Sequence, residues 1–261
     1  MTPAPLWGFY CSDSIAQRRT LTLMCGRFAM DDRVNTEITE FVQRTGRRPE
    51  EWVPNWEAAY NIAPTEQIPV LIDSAKTGEL RFERARWSLV PAWSPTLKLK
   101  FPTFNARAEG MAEKTTWRKP LQLHRAIVLA RGFYEWTGER GSKTPWFMSH
   151  PDGDLMGFAG LYSWWPDPGK EKDDPDRWTL TATIVTSDAV QTLAGIHDRN
   201  PVILPEHMWL QWIDPSVVGD QVLVDEAVRA GVAEAEQLRI DQVRPFGTKD
   251  DGPELVEPVS T

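Results

Sequence analysis

The chain has 261 residues, of which 41% are hydrophobic and 25% are charged, as in an ordinary globular protein with a substantial core. The formal net charge of −8 by itself argues against a nucleic-acid binder, and two cysteines, Cys11 and Cys25, are too few for a disulfide framework and lack the spacing of a zinc site. No apolar run is long enough to span a membrane and the first 24 residues do not resemble a signal peptide, so we expect a cytoplasmic protein without a metal or a cofactor.

The predicted elements follow from the hydrophobic pattern and from the turn and capping residues. In chain order they are a short helix capped by Asp31 or Asp32, strands over 67–73 and 80–90, a helix from Ala106 to just before Pro120, strands over 125–136, 146–148, 155–165 and 178–186, a short helix that Asp188 caps and that ends near Gly195, and helices that begin at Pro205 and Asp220.

Helices and strands do not alternate regularly along the chain, so a doubly wound parallel sheet is not expected. We predict one α+β domain over residues 25–261, with a strongly curled, mostly antiparallel, barrel-like β-sheet and peripheral helices. Residues 1–24 show no periodicity and are predicted to be an extension that is disordered or not translated. We expect the protein to be a monomer.

Basic residues are concentrated in the stretch 76–131, which carries a net charge of +8 and leaves −16 for the rest of the chain. A local field of this kind attracts a polyanion even when the whole protein is acidic. Aromatic residues are interleaved with these charges: Trp87, Trp93, Phe101, Phe104 and Trp117. Cations between stacking rings suit single-stranded nucleic acid, although a solvated basic surface without a ligand is the alternative.

Most of the potentially reactive groups lie in four short segments, each of which is a weak signal alone. They are Met24-Cys25-Gly26-Arg27-Phe28, Phe104-Asn105-Ala106-Arg107-Ala108-Glu109, Gly132-Phe133-Tyr134-Glu135-Trp136 and Gly195-Ile196-His197-Asp198-Arg199-Asn200-Pro201. Further characteristic segments are Tyr60-Asn61-Ile62-Ala63-Pro64-Thr65, Trp87-Ser88-Leu89-Val90-Pro91-Ala92-Trp93, Val185-Thr186 and Gly252-Pro253-Glu254-Leu255. Together and in this order they resemble the SOS response-associated peptidase (SRAP) family, which includes proteins that shield abasic sites in DNA.

The resemblance implies a role for each matching residue. Cys25 is similar to the cysteine that follows the initiator methionine in typical members, where it carries both a free α-amine and a thiol. Asn105 and Arg107 are expected to position the lesion and its phosphates, and Glu135 and His197 to transfer protons. The remaining residues expected to contact single-stranded DNA are Arg27, Trp87, Trp93 and Thr186.

The chemistry of a terminal cysteine agrees with this expectation. An α-amine has an ordinary pKa of about 7.7–8.0, against about 10.4 for lysine, so more of it is nucleophilic near neutral pH. Its attack on the aldehyde of an abasic sugar gives an imine, and the thiol of the same residue can close on the imine carbon to form a thiazolidine. The sequence therefore predicts a covalent DNA–protein crosslink at Cys25.

One departure from the family is important, because 24 residues precede Cys25 and an internal cysteine has no α-amine. Translation from Met24, autocatalytic cleavage of the extension and loss of crosslinking are three explanations, of which we favour the first. Two other functions stay open: a thiol peptidase or autopeptidase that uses Cys25 and His197, and a non-catalytic module that binds single strands.

Overall fold

The computed structural model describes residues 26–47, 55–139 and 141–259, so the predicted extension and Cys25 lie outside the described residues. The strands are β1 (Phe28–Met30), β2 (Ala59–Ile62), β3 (Gln67–Asp73), β4 (Leu80–Trp87), β5 (Asn105–Arg107), β6 (Arg125–Ala130), β7 (Gly132–Thr137), β8 (Thr144–Ser149), β9 (Met156–Pro166), β10 (Trp178–Asp188), β11 (Arg199–Pro201), β12 (Ile203–Leu204) and β13 (Arg239–Gln242). The helices are α1 (Val34–Arg44), α2 (Thr115–Leu123), α3 (Trp209–Ile213) and α4 (Gln221–Glu236).

The larger sheet closes on itself. Its strands follow the order β10-β4-β3-β6-β9, and β9 pairs again with β10, so these strands form a barrel. All of these pairs are antiparallel except β10 with β4. Strand β10 also pairs with β5 and β11, and β12 adds to β9. The predicted α+β fold with a curled, mostly antiparallel, barrel-like sheet is confirmed.

A second sheet has the order β13-β8-β7-β1-β2 and is antiparallel throughout. Buried residues of both sheets and of all four helices form one large hydrophobic cluster. Helix α1 contributes Ile38, Phe41 and Val42 to it. The peripheral helices therefore cover the sheets with their apolar faces, as the amphipathic pattern requires.

The predicted cap of α1 is wrong. No side chain caps this helix, because the carboxylate of Asp31 is held by Arg33 at 2.7 Å and by Arg131 at 3.0 Å. By contrast, Asp220 caps α4, with its carboxylate accepting from the amide of Leu223 at 3.0 Å.

The strand predicted over 125–136 is two strands that belong to different sheets. Strand β6 ends at Ala130 and β7 begins at Gly132. The chain changes sheets at Arg131, a buried residue whose guanidinium pairs with Asp31 and Glu37. A Cβ on Gly132 would collide with the ring of Phe147, so only glycine fits at the crossing.

Two predicted helices are also wrong. The segment after Ala106 begins as strand β5, because Asn105–Arg107 pair with the β10 segment from Ile184 to Thr186; the helix starts only at Thr115 and contains Pro120. The segment after Asp188 forms turns rather than a helix, because Asp188 ends β10 and its carboxylate binds Arg199 instead of capping.

Arg125, counted among the basic residues of stretch 76–131, is structural. Its five N–H groups donate to carbonyl oxygens of Leu121, Gln122, Trp212, Asp214 and Val217. This buried guanidinium joins the C-terminal end of α2 to that of α3 and to the loop that follows, and burial lowers its pKa.

Within the described ranges, no helix has the length and apolar character that crossing a bilayer needs.

Candidate functional site

A crevice between the two sheets contains both residues predicted to transfer protons. Glu135 lies on β7 and is 4% exposed, and His197 lies in the turns before β11 and is 8% exposed. The crevice is lined by Phe133, Glu135, Met148, Leu193, Ile196, His197 and Arg199. The structure thus brings together two predicted residues that lie 62 positions apart in the chain, with mostly apolar side chains around them.

The hydrogen bonding of His197 defines its ring proton. Its Nδ1 accepts a hydrogen bond from the backbone amide of Arg199 at 3.0 Å, so neutral imidazole carries its proton on Nε2. Nε2 is buried and has no hydrogen-bond partner among the described residues. The carboxylate of Asp198 also lies 3.0 Å from Nδ1, but that side chain is 81% exposed and is screened by solvent. Burial is the larger influence and lowers the pKa of His197 below its ordinary value.

Arg199 connects the segments that form one side of the crevice, a role that its sequence segment alone does not reveal. Its guanidinium is buried, binds Glu109 through two hydrogen bonds of 3.0 and 2.9 Å, and contacts Asp188 at 2.6 Å. It also donates to the carbonyl of Thr186 at 2.6 Å. The side chain therefore ties the segment after β5 and the end of β10 to the loop that carries His197. In the sequence, the one indication of this role is that Arg199 lies two residues after His197 in the same family-like segment.

Asn105 and Arg107 reach the same region through β5. They pair in parallel with Ile184 and Thr186 of β10, and the amide of Ala108 donates to the carbonyl of Thr186 at 2.9 Å. Arg107 is exposed, whereas Asn105 is half-buried. Thr186 has no exposed surface, so its side chain cannot reach a ligand in this conformation. Its role is to hold β5 in place through the backbone pairing of β10 with β5.

Arg27 lies where the first described strand begins. Its carbonyl accepts from the amide of Tyr134 at 3.0 Å, which continues the pairing of Phe28 with Phe133. The guanidinium is half-buried and donates to the carbonyl of Gly26 at 3.2 Å. Arg27 therefore lies opposite Tyr134 of β7, the residue that precedes Glu135.

Trp87 and Trp93 differ sharply in placement. Trp87 is fully buried, donates from its indole N–H to the carbonyl of Phe104 at 2.8 Å, and packs edge-on against Phe28 at 5.1 Å. A ring without an exposed face cannot stack on a base, so this placement does not support the predicted DNA contact of Trp87; instead it connects β1 with the segment before β5. Trp93 is 68% exposed and is accessible to a ligand.

A group of residues with metal-binding character lies apart from this crevice. Within the ranges that the structure describes, His150, Asp152 and Asp154 form the one cluster whose ligand atoms approach within 4.8 Å of one another. Both aspartates are exposed, and exposed acidic groups often gather without an ion. None of the three residues lines the crevice.

Comparison with known proteins gives a consistent family assignment. The model of the family described as SOS response associated peptidase (SRAP) matches residues 24–245. The chain is 30% identical to abasic site processing protein YoqW of Bacillus subtilis, over 90% of this chain and 99% of that protein. It is 31% identical to abasic site processing protein YedK of Escherichia coli, over 90% of this chain and 100% of that protein.

Solved structures resemble the fold as well. A protein from Bacteroides thetaiotaomicron has a TM-score of 0.69 and 21% identity, covering 90% of this chain and 100% of its own. A phage-related protein from Bordetella bronchiseptica has a TM-score of 0.63 and 26% identity, covering 85% of this chain and 95% of its own. With the family model spanning most of its length, the chain belongs to the SRAP family.

Proposed function

We propose that this protein captures abasic sites in single-stranded DNA through the α-amine and thiol of Cys25. The observation that carries the proposal is that Glu135 and His197 line one small crevice, and that β7, which carries Glu135, pairs with β1, the strand that follows Cys25 in the sequence. Continuing the pairing of β1 with β7 by one residue beyond Arg27 brings Gly26 opposite Glu135. Since consecutive Cα atoms are about 3.8 Å apart, the bond to Gly26 limits how far Cys25 can lie from the crevice.

Formation of the crosslink needs a base that accepts protons from the amine and a hydrogen-bond donor that binds the oxygen of the sugar. The amine adds to C1′ of the open sugar, and loss of water gives an imine. The thiol then adds its sulfur to the imine carbon and its proton goes to the nitrogen, which completes a five-membered thiazolidine. Glu135, which is buried and lies opposite Gly26 when the pairing of β1 with β7 is continued, is the group to receive and return the protons.

His197 is suited to the sugar rather than to the amine. Because burial lowers its pKa, the imidazole is neutral near pH 7 and presents Nε2–H as a donor. A hydrogen bond from Nε2 to the ring oxygen of the closed sugar would stabilise the charge that develops there during ring opening. Asn105 on β5, which is uncharged and both donates and accepts, is the residue to hold the sugar hydroxyl or aldehyde oxygen.

Three residues that do not line the crevice are suited to bind the DNA strand on either side of the lesion. Arg107 is exposed on β5 and Arg27 is half-buried at the start of β1, so both guanidinium groups are available to phosphates. Trp93 offers an exposed ring for a base. The names of the relatives YoqW and YedK, abasic site processing proteins, support the same substrate class.

The α-amine requires that the mature chain begin at Cys25, so we propose that the functional domain spans residues 25–261 and that the first 24 residues are absent from the active form. Mass spectrometry of the purified native protein should show Cys25 as the N-terminal residue. Native protein that retains Thr22 and Leu23 and still forms the crosslink would contradict this.

The decisive experiment uses protein that begins at Cys25 and single-stranded DNA with one abasic site. An adduct that survives denaturation is expected, and Cys25→Ser should leave only an imine that borohydride traps and that otherwise hydrolyses. A durable adduct from the serine variant would exclude the thiazolidine. Binding that salt abolishes, without an adduct, would favour a non-catalytic single-strand module, and cleavage of a peptide that depends on Cys25 would favour a thiol peptidase.

A further inference from the structure

A second concave site lies outside the crevice, between the loop after β4, helix α2 and the paired ends of β9 and β10. This groove has a volume of about 540 Å³. Its lining residues are Pro91, Ala92, Trp93, Thr115, Thr116, Lys119, Pro120, His124, Ser163, Trp164 and Trp178. None of them belongs to the crevice that contains Glu135 and His197.

Two indole rings of the groove are unusually accessible. Trp93 is 68% exposed and Trp178 is 51% exposed, while Trp164 is half-buried between the sheet and the groove. Large apolar rings at this exposure on a surface signal a binding site more often than a packing role. Three indoles around one groove suit a flat, aromatic ligand.

The groove is held in shape by hydrogen bonds from the barrel. The indole N–H of Trp165 donates to the carbonyl of Ser94 at 2.8 Å, and the amide of Val90 donates to the hydroxyl of Thr181 at 2.9 Å. These contacts tie the loop with Trp93 to β9 and β10 on both sides. The site is therefore preformed, which reduces the entropy that a ligand must overcome.

The polar groups of the groove are suited to a base and a phosphate. Its lining contains no acidic residue and one lysine, Lys119, which is exposed. His124 packs on Tyr162 with ring centroids 5.0 Å apart, and burial and the neighbouring Lys119 lower its pKa, so near neutral pH it can both donate and accept hydrogen bonds. Thr115 and Thr116 add hydroxyl groups at the same wall.

Charges on the two sides of the groove differ. The loop 167–177, which leads into Trp178, has five acidic and three basic residues, whereas Lys114, Arg118 and Lys119 are exposed along α2. A polyanion would therefore run along α2 and turn its bases toward the indoles. Ile184, the partner of Asn105, lies six positions after Trp178 on β10, which is about 20 Å of strand at about 3.3 Å per residue. A strand of several nucleotides spans that length.

We propose that this groove binds an unpaired nucleobase of the DNA strand that flanks the lesion, stacking it on the exposed indoles of Trp93 and Trp178 with a neighbouring phosphate at Lys119. The proposal rests on the proposed function for the identity of the strand. It adds a second contact several nucleotides from the reacting sugar, which would anchor the strand while the crevice samples it for an abasic site.

The test measures binding of the full 261-residue chain to an undamaged oligothymidylate of about 12 nucleotides, within the single-strand site sizes of about 4–16 nucleotides. Trp178→Ala should weaken binding about 5- to 150-fold, as expected for loss of one stacked base, and Trp178→Phe should restore most of it. Lys119→Ala should lower the salt slope by about 0.7, the value for one phosphate on a single strand. Equal affinity of the wild type and Trp178→Ala, both with unchanged melting temperatures, would overturn the proposal.

Two further arms separate this site from the crevice and from a free-nucleotide site. With an abasic strand and protein that begins at Cys25, Trp178→Ala should raise the DNA concentration for half-maximal adduct formation and leave the maximal rate unchanged. If the wild type forms no adduct but the effects of Trp178→Ala and Trp178→Phe on undamaged strands persist, covalent capture fails and the groove stands. Thymidine monophosphate that binds tightly in a Trp178-dependent manner, with strand binding unaffected, would replace the proposal by a free-nucleotide site.

Discussion

The backbone amide of Arg199 donates to Nδ1 of His197 across 3.0 Å, so the loop itself selects which nitrogen of the imidazole carries the proton. The guanidinium of the same arginine is held by Glu109 and Asp188. The orientation of a ring in the crevice is thus coupled to the end of β10 and to the segment after β5.

The lowered pKa of His197 gives a testable dependence of stability on pH. When the pH drops below 6.5, the ordinary pKa of histidine, His197 of the unfolded chain takes up a proton that the buried ring of the folded protein resists. The unfolded state then binds more protons, so the free energy of unfolding decreases as the pH decreases. His197→Asn should reduce this fall. Urea unfolding between about pH 5 and 7.5, where histidines titrate, measures it, with the exposed His207→Asn as the matched control. Identical slopes for all three proteins would contradict the assignment.

Glu135→Gln tests the proton-transfer role at the crevice. The substitution keeps the shape of the side chain and removes its ionisable group, so the rate of adduct formation should fall about 10²- to 10⁴-fold while affinity for undamaged single strands stays within about twofold. Glu139→Gln is a matched control in the exposed turn after β7. Parallel losses of rate, affinity and melting temperature in Glu135→Gln would make Glu135 structural.

Arg199→Met tests the support of the His197 loop. It removes one of two donors to the buried Thr186 carbonyl, which keeps the amide of Ala108, and it removes two ion pairs. Glu109 and Asp188 are 55% and 89% exposed and can be rehydrated. The free energy of unfolding should therefore fall by about 1–3 kcal/mol, and adduct formation should slow even well below the melting temperature. Arg244→Met, which breaks the exposed pair with Glu254, should cost no more than about 1 kcal/mol. A stable Arg199→Met variant with the wild-type rate would exclude the positioning role.

Double substitution of Arg27 and Arg107 by alanine tests the path of the DNA backbone. If each guanidinium neutralises one phosphate, the slope of log affinity against log salt should decrease in magnitude by about 1.4, twice the value of about 0.7 per contact on single strands. The double variant Arg229→Ala with Arg244→Ala removes the same charge from two other exposed positions and should leave the slope unchanged. A slope that is the same in both double variants would place the DNA elsewhere.

Arg125→Met tests whether part of the basic stretch is structural. The change removes a charged donor from five buried or half-buried carbonyls, of which only those of Gln122 and Asp214 keep a backbone amide among the loop contacts. The free energy of unfolding should therefore fall by at least about 3 kcal/mol and the melting temperature by roughly 6–12 °C. Arg118→Met on the exposed face of α2 should change stability by less than about 0.5 kcal/mol. Weakened DNA binding by a well-folded Arg125→Met would show a second, direct role.

Sequence alone predicts the elements whose signal is local. Strand β3 has the predicted bounds because its run of β-branched and large apolar residues between polar ends has no helical period. A helix that begins at Asp220 is predicted, and α4 begins one residue later, at Gln221. Strand β5 could not be predicted, since its three residues are extended only by pairing with residues 79 positions later. The break at Arg131 and the uncapped α1 depend on an ion-pair network that no local pattern reveals.

The candidate site divides in the same way. Glu135 and His197 could be named from their segments, and the crevice that joins them is a result of the fold. Trp87 shows the limit of composition, because an indole beside basic residues looks the same in sequence whether it faces solvent or the core. Whether Trp93, Arg27 and Arg107 contact DNA stays a prediction.

The pairing of β10 with β4, β5, β9 and β11 has a consequence for motion. Opening the backbone of β10 requires several neighbours to separate together, so its amides should be among the slowest in the molecule to exchange with deuterium. The segment 189–198, which has turns instead of strand or helix, should exchange much faster. The crevice is lined by β7 and β8 on one side and by this segment and Arg199 on the other. His197 therefore lies in the part of the lining that is expected to open more readily when a sugar enters.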